Sequence, residues 1–131
     1  MFLSLYKTNH LMVKKLEEQL QQYDLTLARL CVLVSLSSCG RPMLPSEISD
    51  DLAVTRANIS GLLNALENKG LVSREFDASN RRRVLVHLTE AGTKLLEHVY
   101  PIYNESISRD ITNKLSTDEQ DTLIRLVKKL G

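Results

Sequence analysis

No apolar run in this 131-residue sequence approaches the roughly 18 residues that a membrane span requires. The opening stretch, Met1-Phe2-Leu3-Ser4-Leu5-Tyr6-Lys7, has neither a leading basic region nor a small-residue cleavage site, so it does not read as a signal peptide. The expectation is a cytoplasmic protein with no membrane partner. A dominant charge is lacking too: 17 Lys and Arg stand against 16 Asp and Glu, a formal net charge of +1. Bulk charge therefore offers no argument for a polyanionic partner, and any such argument must rest on where the charges sit. Cysteine is scarce. Cys31, inside Leu30-Cys31-Val32-Leu33-Val34, reads as a small core residue, and Cys39, near a helix end, has no basic neighbour in its own turn that would mark a reactive thiol. The three histidines, His10, His87 and His98, lack metal-ligand spacing. No nucleophile motif, phosphate loop or paired acid–base arrangement occurs, so catalysis, a metal and a cofactor are not expected. No repeat, low-complexity stretch or linker divides the chain, and one domain is expected. A chain of this size buries roughly two thirds of its unfolded surface, enough for a core without staples.

What is present is helical periodicity with one interruption. Residues 3–22 read as a helix, with Leu5, Met12, Leu16 and Leu20 in register. Thr26 reads as the N-cap of a second helix, carrying Leu27, Leu30 and Val34 and closed near Cys39-Gly40. Arg41-Pro42-Met43-Leu44 reads as an extended link. Pro45 suits the first turn of a third helix, Ser46 to Leu52, and Ala53-Val54 is a brief turn. Thr55 caps a fourth helix running to Lys69, closed by Gly70, with Ile59, Leu62, Leu63 and Leu66 as its apolar stripe. The period then changes to two. Residues 71–76 and 83–88 read as strands around the polar turn 77–82, a hairpin. A long fifth helix starts at Thr89-Glu90-Ala91-Gly92 and heads toward Lys114, with Pro101 expected to kink or interrupt it. Ser116-Thr117-Asp118-Glu119 is a capping box for a last helix bearing Leu123, Leu126, Val127 and Leu130. The order α-α-α-α-β-β-α-α is mainly α with a small β-hairpin. Two short helices joined by a tight turn and followed by a hairpin make a winged helix-turn-helix.

Once its stripe is buried, the fourth helix has an outer face made of Arg56, Ala57, Asn58, Ser60, Gly61 and Asn64, with no acid before Glu67. Small and hydrogen-bonding side chains suit close approach to base edges: Arg pairs with guanine O6/N7 and Asn with adenine N6/N7. The first turn, Thr55 to Asn58, is the part expected deepest in a major groove. The hairpin adds Arg81, Arg82 and Arg83 at or beside its tip and Arg74 on its first strand. From Lys69 to Lys94 six basic residues stand against three acidic ones, a local excess larger than that of the whole chain. Arg81 and Arg82 are placed to reach a minor groove, whose negative potential favours arginine. The N-terminal amides of the third helix and the Ser46 hydroxyl can hold a phosphate. The competing reading is a winged-helix module that binds protein and not DNA. Such a module would carry exposed apolar residues on the outer face of the fourth helix.

The stretch Leu44-Pro45-Ser46-Glu47-Ile48, then Leu66-Glu67-Asn68-Lys69-Gly70-Leu71-Val72-Ser73-Arg74, Asp77-x-x-Asn80-Arg81-Arg82 and Val86-x-Leu88-Thr89-Glu90-Ala91-Gly92 resembles the MarR family of bacterial transcription regulators. The likeness covers nearly the whole chain. It implies a homodimer with interlocked terminal helices, the recognition helix in the major groove of double-stranded DNA and a wing arginine in the minor groove. Two residues depart from the family pattern: Asn80 stands where Asp is usual, and Leu44 where Thr or Ser often caps the third helix. With the resemblance, residues 26–92 are expected to form the DNA-binding core, and residues 1–25 and 93–131 a helical dimerisation region within the single chain 1–131. The apolar residues Leu95, Leu96, Val99, Ile102, Ile107, Ile111, Leu115, Leu123, Leu126 and Leu130 exceed what a winged helix of about 50 residues covers, which supports dimerisation independently. The implied function is a sequence-specific regulator, a repressor answering to a small molecule or other signal. Tyr6, His10, Tyr23, Arg29 and Tyr103 are candidates to line an effector space, but they read better as packing residues, and no ligand site is assigned.

Overall fold

A computed structural model describes residues 1–131. Six helices and one hairpin follow the expected order: α1 (Phe2–Leu20), α2 (Leu27–Cys39), α3 (Pro45–Leu52), α4 (Arg56–Asn68), β1 (Val72–Phe76), β2 (Val84–Leu88), α5 (Glu90–Asp110) and α6 (Thr117–Leu130). Short 3-10 turns at Gln21–Tyr23 and Thr112–Lys114 absorb the ends of the first and fifth expected helices, which are shorter than the periodicity indicates. No helix is long and apolar enough to cross a membrane.

The helix starts are built by side chains. Thr26, Thr55, Thr89 and Ser116 each accept a hydrogen bond from the backbone N–H three residues on, satisfying a donor that the first helical turn leaves free. Leu44 does this differently. It has no side-chain acceptor, so Glu47 reaches back to the Leu44 N–H at 3.0 Å, giving one half of a capping box, and Arg41 holds Glu47 from outside at 2.8 Å.

The core is a single cluster of 17 apolar residues. Leu16 and Leu20 of α1, Leu30, Leu33 and Leu36 of α2, Ile48 of α3, Ile59, Leu63 and Leu66 of α4, Val72 and Val86 of the hairpin, and Leu96 and Val99 of α5 all belong to it. Burying side chains of this size is worth about 1.5–3 kcal/mol each, which is what holds α4 against α2 and α3. Leu96 and Val99 therefore lie inside the protomer's own core, which corrects their assignment to surface in need of a partner. Leu123, Leu126 and Leu130 stay exposed.

Two features were not read from sequence. Met43, in the extended link, bridges to Val86 through both backbone hydrogen bonds (3.0 and 2.8 Å), so the link docks against β2. The Ser35 hydroxyl, buried on α2, donates to Asp51 of α3 at 2.7 Å. The expectation at Pro101 is also corrected. α5 runs through it unbroken to Asp110, because Pro101 is exposed and neighbouring backbone bonds continue the helix.

Candidate nucleic-acid interface

The α4 stripe of Ile59, Leu63 and Leu66 is buried, which turns Thr55, Arg56, Ala57, Asn58, Ser60, Gly61 and Asn64 outward, all exposed. Thr55 is committed to capping, its hydroxyl accepting from the Asn58 N–H at 3.2 Å. The side chains of Arg56 and Asn58 have no partner within the protein. Gly61 faces open space, where an added Cβ would meet no atom within 4 Å.

The hairpin has the register Val72↔Leu88 to Phe76↔Val84, so Val72, Arg74 and Phe76 share a face with Val84, Val86 and Leu88. That face looks toward α4. Arg74 crosses to it and forks onto Glu67 (Nη2–Oε1 2.8 Å, Nε–Oε2 3.3 Å) while donating to the Asn64 carbonyl at 2.7 Å. Glu67 is held below its ordinary pKa by this guanidinium, and the Arg74 pKa rises in return. At the tip, backbone bonds among Asp77, Asn80 and Arg83 close the turn, and the Asn80 amide oxygen accepts from the Arg82 N–H at 3.1 Å. Asn80 thus braces the wing backbone without a charge. Asp77 sits below its ordinary pKa chiefly because the Ser79 N–H and hydroxyl donate to it, with Arg83 nearby at 3.8 Å.

Between α3, α4 and the wing lies a groove of about 460 Å³ lined by Ser46, Arg56, Ser60, Arg74, Arg82 and Arg83, with Leu44, Pro45, Ile59, Leu63 and Val84 as its apolar floor. No carboxylate lines it. Of the acids on these elements, Glu47 is paired with Arg41, Glu67 with Arg74 and Asp77 with Arg83. Arg56, Arg81 and Arg82 have no acidic partner and supply uncompensated positive charge around a concave face, the potential that a phosphate backbone requires. The sequence-expected residues Ser46, Arg56, Ser60 and Arg82 converge here, while Ala57, Asn58, Gly61 and Arg81 lie on the adjoining exposed surface. Arg74 and Arg83 were not assigned from sequence as site residues. The strand alternation of Arg74 with Val72 was the available signal that it faces α4.

A family model for the SarA/Rot transcriptional regulators matches residues 14–99. The HosA transcriptional regulator of Escherichia coli O157:H7 is 34% identical over 108 residues, covering 82% of this chain and 78% of HosA. The HTH-type regulator YkoM of Bacillus subtilis is 38% identical over 90 residues, covering 69% of this chain, which spans 58% of YkoM's own length. The multiple antibiotic resistance protein MarR of Escherichia coli (strain K12) is 32% identical over 115 residues, covering 88% of this chain and 79% of MarR. This chain is a MarR-family transcription regulator. In structure the regulator resembles AbsC, a MarR-family regulator of Streptomyces coelicolor (TM-score 0.92, 28% identity, 98% of this chain and 88% of AbsC). It also resembles a mutant MarR from E. coli solved with operator DNA (TM-score 0.85, 30% identity, 96% and 89% covered). It is a DNA-binding regulator and not an enzyme, and the protein-binding alternative gives way to this reading.

The aromatic and basic residues considered for an effector space do not share one pocket. His10 and Arg29 line a polar cleft of about 510 Å³ with Lys14, Glu17 and Asp24. Tyr103 lines a different one of about 230 Å³ beside Cys31, whose thiol is pushed up in pKa by burial. Tyr6 stacks between Phe2 and His10 on the exposed side of α1.

Proposed function

We propose that this regulator binds a pseudo-palindromic duplex as a cytoplasmic homodimer and represses transcription from it. Residues 26–92 form the DNA-binding core, and residues 1–25 and 93–131 interlock with a second copy. α4 enters the major groove with Arg56, Ala57, Asn58, Ser60 and Gly61 against the bases and Thr55 holding its first turn. Ser46 and the α3 N-terminus take a phosphate, Asn64 lies further along the same face, and Arg81 and Arg82 reach the minor groove. The observation that carries this is the carboxylate-free groove with Arg56 and Arg82 unpaired in its lining and Arg81 unpaired on the adjoining surface. The operator DNA in the related MarR complex supports duplex DNA as the partner here.

Two-fold symmetry sets the recognition helices about one DNA turn apart, roughly 34–36 Å. The deciding experiment is selection of bound sequences from random duplex DNA. The expected result is an inverted repeat with half-sites about 10 bp apart centre to centre. Enrichment of a single unrepeated element would remove the dimer from the docking, and no enrichment would remove sequence recognition by α4. Response to a small molecule or other signal is supported by the family alone. A screen in which no metabolite, phenolic compound or oxidant alters operator affinity would remove it.

A further inference from the structure

Asn64 sits on the outer face of α4 in line with Arg56 and Ser60, at the spacing i, i+4, i+8. Its type suggests adenine recognition, for which an asparagine must accept from N6–H₂ through its carbonyl while donating to N7 through its amide nitrogen. Here the carbonyl is already engaged by Arg74 Nη2 at 2.7 Å, and Arg74 is itself fixed by the two-point contact with Glu67. A planar guanidinium held on one side by a carboxylate has little freedom to release its other partner. The Asn64 amide is thereby oriented: its oxygen is turned to Arg74 with one lone pair taken, and its nitrogen, a donor, is the end with no partner in the protein.

Position along the helix selects what that donor meets. Eight residues beyond Arg56 is about 12 Å along the axis. A recognition helix lies in the major groove and contacts base edges with its N-terminal residues. With the first turn of α4 there, as proposed above, the third turn lies beyond the base-reading end, where the acceptors to be met are phosphate oxygens. We infer that Asn64 grips the DNA backbone through its amide nitrogen and reads no base, with Arg74 as the positioning residue that orients it. This inference rests on the docking proposed above and narrows the residues that specify sequence to the first two turns.

The test uses the full-length protein, a duplex that the wild type selects from a random pool, and a scrambled duplex of equal length. Asn64→Ala is expected to weaken both about five- to tenfold, leaving their ratio and the salt slope unchanged, because a neutral donor releases no counterion. In the Arg74→Ala background the same change is expected to cost less than twofold, since the amide is no longer oriented. Asn64→Ser, a shorter donor at an exposed site, checks the result independently of folding and is expected to fall between wild type and alanine. A loss confined to the selected duplex, with altered preference at one position per half-site, overturns the inference in favour of base reading. No loss on either duplex overturns it as well, and an equal cost of Asn64→Ala with and without Arg74 overturns the role of Arg74. Failure of the wild type to distinguish the two duplexes would count against the docking itself and is read separately from these outcomes.

Discussion

Gly61 is inside a helix, where glycine costs about 1 kcal/mol relative to alanine, and nothing in the protein needs its small size, because an added Cβ meets no atom within 4 Å. A residue that weakens its own helix without improving packing points to a body outside the protein that comes close. Gly61→Ala is therefore expected to raise thermal stability by about 1 kcal/mol and to weaken duplex binding. Paired melting curves and binding isotherms check both, and a variant that is more stable with unchanged affinity would show that the DNA does not approach there. Arg82 makes the complementary case. Its guanidinium has no acidic partner, while its backbone is fixed by Asn80. Arg82→Ala is expected to cost about 1–3 kcal/mol of binding and to lower the salt slope by about one. Titrations at several salt concentrations that superimpose on wild type would take the wing tip out of the interface.

Among the elements, the hairpin and α5 are locked together by one close approach. Gly92, in the first turn of α5, lies against the Leu71 carbonyl, where a Cβ would collide with that oxygen and come within 2.8 Å of Leu88 Cδ1. Thr89 ties the same corner, donating from its hydroxyl to the Gly70 carbonyl at 2.7 Å. Gly92→Ala is expected to destabilise the fold by about 1–3 kcal/mol, because backbone must move to admit the methyl group. A melting temperature equal to wild type would mean that the corner yields freely. At α3 the cap itself is ionisable. Glu47 is lowered to about 2 from 4.5, first by Arg41 and then by the Leu44 N–H. A depressed folded pKa supplies stability above the unfolded value, so this contribution is present above about pH 4.5 and is lost as pH falls to about 2. Glu47→Gln should thus reduce stability at neutral pH and converge with wild type in acid; parallel acid-unfolding curves would assign the effect elsewhere. The elements themselves were legible in the sequence because caps and periodicity are local. Thr26, Thr55, Thr89 and Ser116 act over three residues, and the stripe of α4 over two turns. The Leu44–Glu47–Arg41 cap, the Met43–Val86 bridge and the Arg74–Asn64–Glu67 contact were not legible, since each needs a backbone placement that spacing does not supply. Leu96 and Val99 were misplaced for the same reason: periodicity identifies an apolar face but not the chain that covers it.

At the scale of the whole molecule, α6 buries none of its residues, and Leu123, Ile124, Leu126, Val127 and Leu130 are exposed along it. Phe2, Leu3, Leu5, Tyr6 and Leu11 are exposed along α1, as is Met1 before it. A helix of 14 residues is marginal in water without tertiary support, so the stability of α6 must come from something that covers this stripe. Its length, its strong capping box and its cationic last turn, Lys128 and Lys129, prepare a helix that packing then completes. A second copy of the chain is the occupant proposed above, and it would also set the distance between the two α4 helices. The paired change Leu126→Asp with Leu130→Asp is expected to convert the dimer to a monomer in sedimentation experiments, while circular dichroism retains the winged-helix core with some loss of helix. Binding to a two-half-site duplex should fall to the level of a single half-site, because the second contact no longer comes at high effective concentration. A variant that still sediments as a dimer would show that α6 is not the interface. A monomer that binds the full duplex as tightly as wild type would show that the two recognition helices do not act together.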